Sequence, residues 1–506
     1  MALNTLTARH AAYRPSGLAL VFGPHRLTHV EVNRRANRAA NMLLALGLRR
    51  SDRVGLVLDN SLELFDLYQA AMKTGIVGVP LSPLLRADGL AQLLVDADVQ
   101  AVVTMSRMTS ELDLVRDRLS VKPERYLVTG AAEVAGYRGY DELLRRASAD
   151  DPVVEVADDD PFNIIYSSGT TGDPKGIVHT HGIREAYGTG FASSFRIHPE
   201  SVVLHAGSLV FNGSFVTLMP ALYLGCTYVL LERSEPRAML DALAAERATH
   251  VMTVPSQIVA LLENDDFDEA HLPHLEMIGS LGAPLLLEHK HELMRRLPRR
   301  LYELYGLTEG FVTILDRDDV ERKPGSVGIP PPLYALRIVD ADGADVPAGQ
   351  VGEIVGRGPI TMPGYHRRPD LTAETLVDGW VRSGDLGYVD EDGFLYLVDR
   401  KKDLIISGGV NVYPRDIEEV AIRHPNVLDV IVFGVPDERW GESPVAAVRL
   451  RDDAAAEPEE LREWINERVQ ARYQRLREVI VRDAFPTSLA GKTLRRVIRD
   501  DYLDTR

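Results

Sequence analysis

The chain has 506 residues, a single cysteine (Cys226) and a formal net charge of −17 at pH 7. That length can build several hydrophobic cores, so more than one domain is expected. The acidic balance argues against a general nucleic-acid or anionic-membrane binder, and one cysteine excludes a disulfide framework or a cysteine-built metal site.

No apolar run reaches membrane-spanning length, and the opening residues lack the charged-then-apolar order of a signal peptide. A cytoplasmic protein with neither a membrane nor a nucleic acid as partner is the expectation. Of the 57 basic residues only eight are lysine, so a lysine weakly marks a place that wants a compact ammonium instead of a planar guanidinium.

In chain order, Thr28 and Glu31 have the form of a capping box opening a helix that turns Val32, Ala36, Ala39, Leu43 and Leu46 toward a core and stops at Gly47. A buried strand over 53–58, a helix over 62–72 and a strand over 75–80 follow. Further short strands are predicted at 101–104, 126–129, 162–165, 202–204, 227–231, 251–254 and 277–280. Strands alternating with helices indicate layered α/β structure with largely parallel sheets.

After residue 320 the texture changes. Short strands at 327–329, 335–339, 351–355, 380–381 and 394–398 are separated by turns such as Ala341-Asp342-Gly343, which predicts a β-rich subdomain over about 321–401. Amphipathic helices over 415–423 and 458–469 then suggest a small α+β domain. The boundary is placed after residue 401, giving domains 1–401 and 402–506.

Residues 166–176 read Y-S-S-G-T-T-G-D-P-K-G. Freed backbone N–H groups, hydroxyls and a lysine are what a loop needs to hold phosphate oxygens. A Walker A loop is excluded, because Lys175 follows Pro174 and precedes Gly176.

The stretch instead resembles the phosphate loop of the acyl-adenylate-forming superfamily, which includes acyl- and aryl-CoA synthetases, peptide-synthetase adenylation domains and luciferase. Other motifs follow in that family's order: Gly282-Ala283-Pro284, Tyr305-Gly306-Leu307-Thr308-Glu309, Trp380 through Gly387, Asp399 through Pro414, and Gly491-Lys492. The resemblance covers nearly the whole chain. It implies a large N-terminal domain of layered α/β subdomains plus the β-rich subdomain, joined by a hinge to a small C-terminal domain. It also implies ATP, Mg²⁺ and coenzyme A.

The resemblance assigns roles residue by residue. Ser167, Ser168, Gly169, Thr170, Thr171, Gly172 and Lys175 would hold the β- and γ-phosphates. Glu309 would hold Mg²⁺ as a hard oxygen ligand. Thr308 would donate to the α-phosphate. Gly282, Ala283, Pro284, Tyr305 and Gly306 would receive adenine, and Asp385 with Arg400 the ribose. Lys492 would bridge the substrate carboxylate and the α-phosphate, making Lys492, Thr308 and Glu309 the catalytic set. Lys402 would be the hinge, and Gly408 and Gly409 would line the coenzyme A channel.

The chain also departs from the family. His205, Gly207, Phe211, Asn212, Gly213, Ser214 and Gly282 fall at the acyl pocket, with Ser208 and Phe211 where CoA synthetases carry proline and histidine. Amino-acid-activating relatives place an aspartate where Asn212 stands, and burying an ammonium without a carboxylate is costly. A non-amino acid is therefore expected. The small Gly207, Gly213 and Ser214 suggest room for an aromatic or bulky polycyclic acid.

Ala490 lacks the hydroxyl that usually precedes the catalytic lysine. This keeps open a relative that only converts preformed acyl-adenylate to acyl-CoA. A loader of carrier-protein phosphopantetheine and an acyl-AMP-binding pseudoenzyme are the further alternatives to an ATP-dependent acyl-CoA synthetase.

Overall fold

A computed structural model describes residues 3–130, 134–167, 175–400, 403–407, 410–437, 439–451, 454–487 and 493–505, with Ser167 and Arg400 as backbone only. The architecture is mixed α/β, with a large N-terminal domain and a small C-terminal one.

Two sheets dominate the large domain. One has seven strands in the order Arg138–Gly139, Tyr126–Thr129, Ala101–Met105, Arg53–Val57, Val77–Leu81, Pro161–Ser167 and Lys175–Thr180. All neighbours are parallel except the last pair, a hairpin in which Ser167 faces Lys175. The other has eight strands, in the order Phe311–Leu315, Leu301–Leu307, Met277–Leu281, His250–Thr253, Val202–His205, Thr227–Leu230, Leu18–Phe22 and His25–Thr28. It is parallel except at its two edges.

Helices Leu62–Thr74, His181–Ser194 and Phe215–Leu224 fill the layer between the sheets. Phe65, Tyr187, Phe191, Phe215 and Met219 pack there in one core with Leu56 and Val103 of one sheet and Val203 and Tyr228 of the other. The first of these helices is buried on nearly every side, so that even its polar Asp66, Gln69 and Lys73 lie inside.

Thr28 caps its helix with both bonds of the capping box, and the helix runs His29–Ala45. The strand expected from Gly75 begins at Val77, because Gly75 takes φ +64° to end the preceding helix. The expected strand over 327–329 is reduced to a single bridge between Ile314 and Ile329. Gly328 sits at φ +85°, and a Cβ there would lie 1.9 Å from the Ile314 carbonyl oxygen.

Strands Ala335–Val339, Gly352–Arg357, Leu376–Val377, Trp380–Val389 and Leu395–Arg400 form a separate antiparallel sheet. From Ile405 onward the chain builds another five-stranded sheet around the long hairpin Val427–Asp437 and Gly441–Leu450, with helices Pro414–Ala421, Pro458–Asn466 and Arg495–Asp504. Its two apolar clusters are centred on Ile417 with Val432, and on Phe433 with Tyr502.

Candidate active site

In parallel α/β sheets the strand carboxyl ends and the loops beyond them form the crevice where ligands bind. The glycine-rich loop lies at the carboxyl end of Pro161–Ser167, Gly207 just beyond that of Val202–His205, and Gly282 at that of Met277–Leu281. Ser168 through Pro174, including Gly169, Thr170, Thr171 and Gly172, lie outside the described residues, as do Lys402, Gly408, Gly409 and Lys492.

Lys175 emerges at the mouth of its hairpin with Nζ 5.8 Å from the centre of the Tyr365 ring. The Tyr365 hydroxyl donates to Glu309 Oε1 at 2.8 Å. Burial, then the Glu309 charge, raises the Tyr365 pKa, so the proton stays on the phenol. The segment around Tyr365 is tied down on both sides: His366 N–H donates to the Gly176 carbonyl at 2.7 Å and Met362 N–H to the Glu309 carbonyl at 2.9 Å. Lys175 and Glu309, apart by more than a hundred positions, thus meet across one tyrosine.

Thr308 and Glu309 form the turn between strands Leu301–Leu307 and Phe311–Leu315. The turn needs Gly310, which takes φ +117° and whose Cβ would lie 2.1 Å from the Ile360 carbonyl oxygen. Three residues before Thr308, the Tyr305 hydroxyl donates to Asp385 Oδ2 at 2.8 Å. Asp385 is buried and pairs in register with Arg400. The residues expected at adenine and at ribose therefore share one corner, and Gly282, at φ +89°, follows the neighbouring strand and precedes Ala283 and Pro284.

The segment expected at the acyl pocket is held from behind. Asn60 donates to the Gly207 carbonyl at 2.7 Å and accepts from Leu209 N–H at 2.8 Å, and Tyr68 donates to the Leu209 carbonyl at 2.8 Å. His205 is buried with its ring stacked on Tyr228, and burial pulls its pKa to about 4. Ser214 spends its hydroxyl on the carbonyls of Phe211 and Leu209.

A Cβ at Gly213 would lie 3.0 Å from Leu281, so this glycine accommodates Leu281. Leu281 thus fills the space beside Gly213, whereas a Cβ at Gly207 would meet the His205 ring only at an ordinary contact distance of 3.4 Å. Phe211, half-buried, packs on the central core together with Leu281 and Tyr334.

Asn212 is fixed in orientation. Its Oδ1 accepts from Arg184 Nη1 at 3.0 Å, and its Nδ2 donates to the Tyr187 hydroxyl at 2.9 Å. Since a guanidinium can only donate, the amide oxygen must face it. Arg184 has no exposed surface, and no described carboxylate forms an ion pair with it.

Arg184, His179 and Tyr365 were not singled out from the sequence. The H-T-H run after the glycine loop and an arginine on the same helical face as Tyr187 and Phe191 were the available signals. No group of three or more histidine, cysteine or acidic side chains suited to a metal occurs among the described residues. No described helix is long and apolar enough to cross a membrane.

A family model described as AMP-binding enzyme matches residues 7–366, and one described as AMP-binding enzyme C-terminal domain matches residues 416–492. The chain is 33% identical over 485 residues to the long-chain-fatty-acid–CoA ligase FadD13 of Mycobacterium tuberculosis, covering 95% of this chain and 94% of that one. It is 34% identical over 506 aligned positions to the feruloyl-CoA synthase of an Amycolatopsis species, covering 98% of each. The ATP-bound structure of MatB from Rhodopseudomonas palustris superposes with a TM-score of 0.90 at 29% identity, covering 100% of both chains.

Proposed function

Because the chain belongs to the AMP-binding enzyme family, we propose that it is an AMP-forming ligase joining a non-amino carboxylic acid to coenzyme A through an acyl-adenylate. The observation that carries this reading is the meeting of Lys175, Tyr365 and Glu309 next to the Tyr305–Asp385 corner. A cation, a carboxylate and a polar corner for the nucleoside are parts that adenylate formation uses.

In the first half-reaction the acid's carboxylate attacks the α-phosphorus of ATP and pyrophosphate leaves. Two anions must approach, so charge must be offset before attack. Lys175 would supply positive charge on the phosphate side, and Thr308 would donate to the α-phosphate. The Glu309 carboxylate suits Mg²⁺, which takes one or two carboxylates alongside phosphate oxygens and water. When bound, that ion would neutralise phosphate charge, while Tyr365 keeps the carboxylate oriented. Lys492 would bridge the two reacting anions.

In the second half-reaction the thiol of coenzyme A attacks the acyl carbon and AMP leaves. A turn of residues 402–506 about Lys402 would withdraw Lys492 and bring Gly408 and Gly409 to the thiol channel. The separate sheet and cores that begin at Ile405 support a unit able to move in this way.

For the acid, Asn212 offers an N–H edge backed by a buried guanidinium. An α-ammonium group would meet that positive charge with no carboxylate to offset it, which disfavours amino acids. Phe211, Leu281, Tyr187 and Tyr334 suit an apolar body, aromatic or aliphatic. Incubation with Mg-ATP, coenzyme A and a pool of aromatic, fatty and alicyclic acids, read by mass spectrometry, should give AMP and an acyl-CoA. Thioester formed only from supplied acyl-adenylates, or aminoacyl products, would refute the reading.

A further inference from the structure

We propose that Arg184 and His179 are positioning residues that tie the acyl loop at Asn212 to the Thr308–Glu309 turn, so that acid site and phosphate site are held in one geometry. This rests on the reading of that turn as the phosphate-side element.

The link is a continuous chain of hydrogen bonds. Arg184 Nη1 donates to Asn212 Oδ1 at 3.0 Å, and Nη2 reaches His179 Nδ1 at 3.2 Å. His179 Nε2 is 2.9 Å from the Thr308 carbonyl oxygen. Guanidinium nitrogens only donate, so Nδ1 accepts, the imidazole proton sits on Nε2, and Nε2–H donates to Thr308. The tautomer follows from the partners. Asn163 Oδ1 takes two more bonds from the guanidinium, at 3.3 Å from Nε and 3.0 Å from Nη2. Phe215 lies beneath it, its ring centre 3.9 Å from Cζ.

The cost of this arrangement shows that stability does not explain it. Arg184 and His179 have no exposed surface. The cation lies in the first turn of helix His181–Ser194, at the positive end of the helix dipole, with neutral acceptors only among the described residues. An apolar residue would pack there at no such cost. The return is geometric: with the Thr308 carbonyl held by His179, planarity turns the following N–H the opposite way. Met362 N–H holds the Glu309 carbonyl and Gly310 N–H the Leu307 carbonyl, so the histidine completes the clamp on this turn.

The test exploits opposite orders of packing and polarity at His179. Leucine preserves the volume but no donor, whereas glutamine can accept from Arg184 and donate to Thr308. Binding of Mg²⁺ with α,β-methylene-ATP is measured by calorimetry on the full chain, below the melting temperature of every variant. His179→Leu should weaken binding about tenfold or more, the loss of one buried donor, and His179→Gln should stay within about threefold. Arg184→Met should follow leucine, and it carries the test if His179→Leu does not fold.

Leucine equal to or better than glutamine would overturn the proposal, as would an Arg184→Met protein with unchanged affinity. Thr308→Val with unchanged affinity would instead show that the turn is not the phosphate-side element, whatever the histidine variants do.

Discussion

Tyr365→Phe tests how the Glu309 carboxylate is held. The ring is buried against Ile177 and Met362, and phenylalanine keeps that packing and the face that Lys175 approaches. Only the hydroxyl is lost, and with it one bond of 2.8 Å to Glu309 Oε1. A hydrogen bond to a charged group contributes about 1.5–3 kcal/mol. Glu309 is partly exposed, so water can replace the phenol in part and the low end applies. About 1.4 kcal/mol corresponds to a tenfold change, so kcat/KM for Mg-ATP should fall roughly tenfold while the melting temperature moves little. Pyrophosphate exchange titrated with Mg-ATP reads this directly. A kcat/KM unchanged within about twofold would show that Tyr365 does not orient the carboxylate, since a tenfold loss is what one such bond predicts.

Lys290 pairs with Glu303 where neither side chain has appreciable exposure, and it also donates to the Pro324 carbonyl at 2.8 Å. Lys290→Met should cost about 3–5 kcal/mol in denaturant unfolding by stranding a buried carboxylate, and adding Glu303→Leu should restore most of it. Five histidines, His29, His181, His205, His250 and His289, are held near pKa 4 by burial. The unfolded chain then binds more protons than the folded one below about pH 6.5. Stability should be complete above that pH and fall as pH drops toward about 4, and replacing His250 with Gln should flatten the slope of melting temperature against pH. Lys492→Ala should abolish ATP-driven product but spare thioester formation from a synthetic acyl-adenylate; equal loss of both steps would contradict its assigned role.

What could be read in the sequence was local or compositional. The Thr28–Glu31 box depends on four neighbouring residues, and both of its bonds form. Elements whose limits are set by distant neighbours were less legible. The strand from Trp380, expected only over 380–381, runs to Val389. Pairing with Gly352–Arg357 on one side and Leu395–Arg400 on the other carries it through, with a register irregularity opposite each partner.

The site divides along the same line. Tyr305, Glu309 and Asp385 are recognisable because their motifs are contiguous, even though Tyr305 and Asp385 touch across 80 positions. Arg184 is different. In a surface helix an arginine four residues past the cap would belong to the solvent face, but this helix lies between two sheets and Arg184 has no exposed surface. Its meaning comes from Asn163 and His179 on two strands and from Asn212 at the start of a short 3-10 turn, and two of these partners lie 21 and 28 positions away. The sequence excludes amino acids because Asn212 lacks a charge; the fold adds a cation directly behind it. An ammonium there would be repelled as well as unpaired. Asn212→Asp should therefore create a buried ion pair with Arg184, and the new carboxylate, already neutralised, should not confer amino-acid activation. Amino-acid-dependent pyrophosphate exchange by Asn212→Asp would show that the guanidinium exerts no such control.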